Sequence, residues 1–250
     1  MAAQTPTLPP QFEVASIKPT AISGDRALVQ ALPGRLLLQN FTLRRLILFA
    51  YGMQDYQLSG DQAWIATDHY DLEAKAEPNT SVQQMEGPML RALLEERLHL
   101  TVHHESRQLP TYELTVGKAG PKLQHTADGS CVPYPVDSKP PQALAPGAPH
   151  PVYCGYPKSG VDGVNRTIDG AGVSMTILAT NLARLMADRP VIDRTGLTAT
   201  FDIHLKWSAD ETDGPSTFTA LQEQLGLKLE SAKGPVEVLV IDHVEKPSAN

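Results

Sequence analysis

The chain has 250 residues, is 41% apolar and carries a net charge of −7. That length buries a real core, in one large domain or two small ones. The acidic balance argues against general binding to nucleic acid or anionic membrane, which need a basic face. No apolar run approaches the roughly 20 residues that span a bilayer, since the best candidate, Leu43–Tyr51, is short and carries Arg44 and Arg45.

Residues 1–11, MAAQTPTLPPQ, lack the apolar core of a signal peptide. Their small and Pro-rich character suits the start of a mature exported chain. Residues 12–18, FEVASIK, alternate apolar and polar and predict a strand, which Pro19 ends. A polar stretch then leads to Pro33-Gly34, a turn signal. Residues 35–39 predict a strand and Leu43–Tyr51 a helix, with Asn40 or Thr42 as cap and Gly52 as stop. Residues 55–59 predict a short strand, and residues 69–76, HYDLEAKA, an alternating one. Ser81 is placed to cap a helix whose Met85, Met89, Leu90, Leu93, Leu94 and Leu98 recur at helical spacing. Gly87-Pro88 interrupts its first turn. Residues 98–107 predict the next strand. Gln108-Leu109-Pro110 then predicts a turn and residues 112–116 a returning strand, because proline cannot donate to a ladder.

From 125 to about 157 the composition shifts to Pro, Ala, Gly and Ser, too poor in apolar residues to pack alone. Both cysteines lie here. Two free thiols in an exposed loop would be a liability, so Cys131 and Cys154 are expected to form a disulfide in an oxidising compartment. Beyond it, residues 164–168 and 173–175 read as extended and 176–187 as a helix capped by Ser174 or Thr176. Residues 190–193 and 200–207, the latter TFDIHLKW, read as strands. An acidic loop over 209–215 precedes a helix capped by Ser216. Residues 227–230 and 236–244 predict a hairpin around Ala232-Lys233-Gly234. The last strand, VEVLVIDHV, is nearly continuous in apolar residues, as a strand covered on both faces should be.

The halves align with each other. Tyr70 to Lys75 match Phe201 to Lys206, and Leu94, Glu96, Leu98 and Leu100 match Leu221, Glu223, Leu225 and Leu227. The expected fold class is therefore α+β, as two similar units, each with two helices on a mainly antiparallel sheet. The expected organisation is a first unit over 1–124, a Pro-rich disulfide-tethered loop over 125–159 and a second unit over 160–250.

The segments FEVASIKP, LRRLILFAYG, YDLEAKA, RLHLTVHHESRQLPTYEL, PVIDRTGLTATFDIHLKW and GPVEVLVIDHVEKPSAN resemble a family of exported proteins of unknown function, expanded in acidobacterial (Solibacter-type) soil bacteria. The resemblance covers nearly the whole chain outside the Pro-rich middle, and the cysteine pair fits it. It implies export to the periplasm or medium and no established reaction or cofactor. Related domains fused behind membrane metallopeptidases of the antibiotic-sensor type hint at sensing or binding. The order of elements in each half is also similar to the short periplasmic domain of secretins and TonB-dependent receptors.

Candidate chemistry is sparse. His103 and Glu105 share a strand face while His104 points away, so His103 and Glu105 are the candidate Zn²⁺ ligands. Asp210 and Asp213, in the acidic loop, are the candidate Ca²⁺ ligands, although the full calcium-loop pattern is missing. Asp71 and Asp202 occupy matching strand positions, where bonding to a neighbouring turn is the expected role. His243 beside Asp242 would face away from it on a strand. There is no GxSxG, SxxK, HExxH, P-loop or GxGxxG pattern. Tyr51, Tyr56 and Trp64, in the long connection after the first helix, are the candidate ligand-binding residues. The reading is an extracytoplasmic protein, a monomer or weak homo-oligomer, that binds a small ligand or an envelope protein. The alternative is an ester or lactone hydrolase, with or without a metal.

Overall fold

The computed structural model describes residues 11–22, 24, 26–60, 62–133, 151–186, 188–208 and 214–247. The chain is mixed α+β and divides into two compact units that are not contiguous in sequence: Met1–Arg107 with Glu237–Asn250, and Gln108–Val236. The division follows two long strands rather than the Pro-rich stretch.

The first unit begins with β1 (Val14–Pro19), β2 (Leu28–Leu32), β3 (Arg35–Thr42), α1 (Leu43–Tyr51), β4 (Leu58–Ser59), α2 (Ala63–Thr67) and β5 (His69–Lys75). After these come α3 (Val82–Gln84), α4 (Leu90–Leu98) and β6 (Thr101–Val116). Strands β1, β5, β3 and β2 form an antiparallel sheet in that order. Strand β2 lies where the sequence read as a polar connection. Pro33-Gly34 makes a two-residue hairpin, with Leu32 opposite Arg35, and the turn brings β2 back along β3. One sheet face carries Ile17, Leu36, Leu38, Leu72 and Ala74, which share a buried core with Leu43, Leu46 and Ile47 of α1 and Leu90 and Leu94 of α4. Each such aliphatic side chain contributes about 1.5–3 kcal/mol by leaving water.

The register of β3 slips between Leu38 and Phe41. Asn40 occupies the bulge at φ 58° and is only 3% exposed. Asparagine tolerates this left-handed backbone better than most residues. Its N–H donates to Asp71 Oδ1 at 2.8 Å. Its Nδ2 donates to the Gly24 and Arg26 carbonyls at 2.6 and 3.2 Å. Asn40 is thus occupied by the bulge, and Thr42 is the helix cap, its Oγ1 accepting from the Arg45 amide at 3.2 Å. Ser81 caps α3 and forms a capping box with Gln84. A π-helical turn over Met85–Met89 separates α3 from α4, because Pro88 has no N–H for an i to i−4 bond. His99, at φ 48°, ends α4.

The second unit contains β7 (Gln124–His125), β8 (Lys158–Asp162), β9 (Asn165–Val173), α5 (Met175–Met186), β10 (Val191–Asp193), β11 (Phe201–Ser208), α6 (Thr217–Ala220), a π-helical turn over Leu221–Leu225, and the start of β12 (Leu227–His243). Its antiparallel sheet has the order β7-β11-β9-β8. Here too a bulge precedes the first helix, with Gly172 at φ 66°. The Gly172 amide donates to Thr126 Oγ1 at 2.9 Å, and that hydroxyl donates to Asp202 Oδ1 at 2.8 Å. Ser174 caps α5 by accepting from the Ile177 amide at 3.3 Å, and Ser216 caps α6 by accepting from the Thr219 amide at 3.2 Å. Ile168, Leu178, Leu182, Phe201, Ile203, Leu205, Leu221 and Leu225 form this unit's core.

A third sheet has the order β10-β6-β12-β4. In the first unit, β4 pairs in parallel with β12 at Leu239 and Val240. In the second, β10 pairs in parallel with β6 from Tyr112 to Leu114. These strands correct two sequence expectations. Gln108-Leu109-Pro110 is not a turn, and Ala232-Lys233-Gly234 is not the bend of a hairpin. Both segments lie inside continuous strands of 16 and 17 residues. Proline is tolerated in a strand where no partner needs its missing N–H. Pro110 lies two residues before the point where β10 joins the ladder at Tyr112.

Candidate functional site

The three aromatic candidates lie on three different elements. Tyr51, at the end of α1, lies under the Arg91 guanidinium, 4.9 Å from its ring centroid. Arg91 is itself fixed by donating to the Ala50 carbonyl at 2.8 Å. Burial, then the nearby Glu95 carboxylate, raises the Tyr51 hydroxyl pKa. Tyr56 is half-buried in a 3₁₀ turn over Asp55–Gln57, which Arg44 anchors by a 2.8 Å bond to Asp55. Trp64, on α2, donates from Nε1 to Gln62 at 2.6 Å and lies 5.3 Å from the Lys246 ammonium. Lys246 also pairs with Asp68 at 2.6 Å, which lowers the Asp68 pKa and raises its own. Tyr51 and Trp64 pack partly into the first core, and each carries its own cation. Neither lines the two clefts described below.

The densest polar cluster is centred on His103. Its Nδ1 lies 2.9 Å from both Asp242 carboxylate oxygens and its Nε2 lies 3.1 Å from Glu105 Oε1. Glu105 Oε2 accepts from Arg107 Nε at 2.7 Å, and Arg107 Nη1 donates to Ser59 Oγ at 3.0 Å. Alternation along β6 puts His103, Glu105 and Arg107 on one face, while β12 and β4 supply Asp242 and Ser59. Hydrogen bonds to Asp242 and then Glu105 raise the His103 pKa. Bonds from His103 and then Arg107 lower that of Glu105. His104 points to the other face and pairs with Glu237 at 3.2 Å. Asp242 serves His103 rather than its neighbour His243, which pairs with Glu245 at 3.0 Å.

This row has the makings of a carboxylate-oriented histidine, but Nε2 meets a second carboxylate instead of a nucleophile. The hydroxyl of Ser59 is bonded to Arg107. The carboxylates also lie at opposite edges of the ring, so one cation cannot use both with one nitrogen. Among the described residues no group of three or more His, Cys, Asp or Glu is arranged to hold a metal ion. Asp210 and Asp213 lie outside the described residues. Asp71 accepts directly from the Asn40 amide in the β3 bulge, whereas Asp202 accepts from the Thr126 hydroxyl, which itself accepts from the Gly172 amide.

Cys131 and Cys154 are joined, with Cα atoms 5.1 Å apart. The bridge sits against the β9 bulge, where a Cβ on Gly172 would lie 2.9 Å from Cys154 Cβ and 3.2 Å from Cys131 Sγ. Adjacent to it, the Val132 amide donates to the Val152 carbonyl and the Cys154 amide donates to the Val132 carbonyl, both at 2.9 Å. No described helix is long and apolar enough to cross a membrane.

A cleft opens in each unit among the described residues. In the first, about 360 Å³ opens between the start of β1 (Phe12, Val14, Ala15) and α4 (Met89, Leu93, Arg97). In the second, about 520 Å³ opens between Ala119 and Lys122, ahead of β7, and Phe218 and Glu223 on the second helical segment. The sequence pointed to neither, because a cleft is made by residues far apart in the chain. Asp242 was missed as a partner of His103 for the same reason, lying 139 positions away.

No curated protein and no solved structure matches the chain. One family model does match, over residues 44–244, from the strand-to-helix junction at α1 to the end of β12. That is most of the 250 residues, and the chain belongs to the family described as Protein of unknown function (DUF3738).

Proposed function

We infer that this is an exported binding protein of the extracytoplasmic space, built from one α+β pattern used twice and carrying no evident catalytic motif. The observation that carries the reading is that each unit opens a cleft beside a helical segment, against the start of β1 in the first unit and against the residues ahead of β7 and the start of β12 in the second. Ligand sites are concave and few per protein. The same order of elements supports the duplication: β1-β5-β3-β2 in one unit and β7-β11-β9-β8 in the other. So do the paired bulges held by Asp71 and by Asp202 through Thr126, and the π-helical turn in each second helix. The disulfide supports export, because such bridges persist in oxidising compartments.

The test is a ligand screen on the purified, oxidised chain by thermal shift and NMR, run beside an ester and lactone activity panel. Saturable binding without turnover is expected. Hydrolysis abolished by His103→Ala would replace this reading with the hydrolase one.

A further inference from the structure

Two charges face the second unit's cleft without a counter-ion. Lys122 Nζ donates to the main-chain carbonyl of Glu223 at 2.7 Å, which holds the ammonium in place but leaves its charge uncompensated. Among the described residues no carboxylate pairs with Lys122, and no cation pairs with the Glu223 carboxylate. The other cation in the lining, Lys228, is already neutralised by Glu230 at 2.6 Å. The rest of the lining is mixed: Thr219 and Gln222 are polar, while Ala119, Phe218 and Leu229 are apolar. Leu229 is buried, while Phe218 is 40% exposed. The Phe218 ring is braced edge-on against Tyr112, with centroids 5.4 Å apart, and the Arg189 guanidinium lies over the Tyr112 ring at 4.6 Å. An exposed aromatic fixed in this way offers a rigid stacking surface at little entropic cost.

The first unit's cleft lacks this arrangement. There Arg97 pairs with its neighbour Glu96 at 3.3 Å, and the other charged group in the lining is a second carboxylate, Glu13. The contrast separates a general consequence of the fold from a specific chemistry. Opposite unpaired charges that flank apolar side chains complement a ligand with both charges and an apolar body.

We propose that the cleft lined by Lys122, Glu223, Phe218 and Leu229 binds a zwitterionic apolar ligand, of the class of short peptides with free termini. Lys122 takes the ligand carboxylate, Glu223 takes the ammonium, and Phe218 with Leu229 takes the side chains. The volume of about 520 Å³ lies in the range of small-ligand sites. The assignment rests on the binding reading above and narrows it to one ligand class and one cleft.

The experiment is calorimetric and NMR titration of the full oxidised chain with zwitterionic phenylalanyl-phenylalanine, its N-acetyl form and its C-terminal amide. Resonances of residues 119–122, 218–223 and 228–229 should shift with the zwitterion, and either cap should weaken binding at least tenfold. Glu223→Gln should weaken the zwitterion and lose sensitivity to N-acetylation. Lys122→Met should lose sensitivity to amidation. Phe218→Ala, which leaves both charges in place, should weaken all three ligands together, and backbone NMR spectra confirm that each variant is folded. No binding of the zwitterion, or binding that neither charge variant changes, overturns this site. The general reading fails separately, on ester or lactone turnover that depends on His103.

Discussion

Replacing Gly226 by alanine should be among the most damaging single-atom-scale changes in the second unit. Gly226 ends the π-helical turn at φ 66°. The loop before β7 folds onto it: the Lys122 amide donates to the Leu225 carbonyl at 2.9 Å and the Gly117 amide donates to the Gly226 carbonyl at 2.8 Å. A Cβ here would collide with the Gly120 carbonyl oxygen and lie 2.8 Å from the Lys122 nitrogen and 3.0 Å from Pro121 Cα. All three are backbone atoms, so no side chain can swing away. Left-handed backbone costs an alanine about 1 kcal/mol, and displacing residues 120–122 forfeits two backbone bonds at about 1 kcal/mol each. The total is about 3 kcal/mol, a large share of the ~5–15 kcal/mol that folds a domain. Urea denaturation followed by circular dichroism should show the midpoint fall with little change in slope. The aligned residue in the first unit, His99 at φ 48°, gives a contrast of sign. His99→Gly relieves the same backbone strain and loses only an exposed pair with Glu245, so it should be near neutral or slightly stabilising. A Gly226→Ala loss below about 1 kcal/mol would refute the reasoning, because the 120–122 backbone would then have to yield freely.

Three further outcomes follow from the same geometry. Asp71→Ala strands the buried Asn40 amide and should destabilise by about 1–3 kcal/mol; Asp71→Asn keeps an acceptor and should lose much less, as read by the same unfolding curves. The carboxylates around His103 raise its folded pKa, so its stabilisation is complete below the unfolded value of about 6.5 and is lost as pH rises through the folded value. Glu105 is depressed, so its contribution is present above about 4.3 and is lost as pH falls through its folded value. The stability gap between wild type and His103→Gln should therefore be widest near pH 5–6 and close by about pH 9; a gap independent of pH would show that the pairs do not form. Changing both Cys131 and Cys154 to serine frees a loop with a sequence separation of 23, which should lower stability by about 3 kcal/mol on chain-entropy grounds. Reduction of the wild type should reproduce that loss, and no loss by either route would mean that the loop is held without the bridge.

Local chemistry was legible in the linear chain wherever neighbours in sequence settle the structure. Thr42, Ser81 and Ser216 cap helices because a hydroxyl reaches an amide three residues on. Alternation put His103 and Glu105 on one face. The cysteine pair followed from the exposed, Pro-rich stretch in which both thiols lie. The failures share a cause. Pro110 and Gly234 look like chain reversals when only their neighbours are considered, yet proline and glycine interrupt a strand only where a partner needs the missing donor or side chain. Whether such a partner exists is decided by β10 and β12, which come from distant parts of the sequence. The clefts, the Asp242–His103 contact and the placing of Lys122 and Glu223 in one lining belong to the same class. Each depends on which distant residues the tertiary fold sets side by side, and periodicity and local spacing carry no record of that.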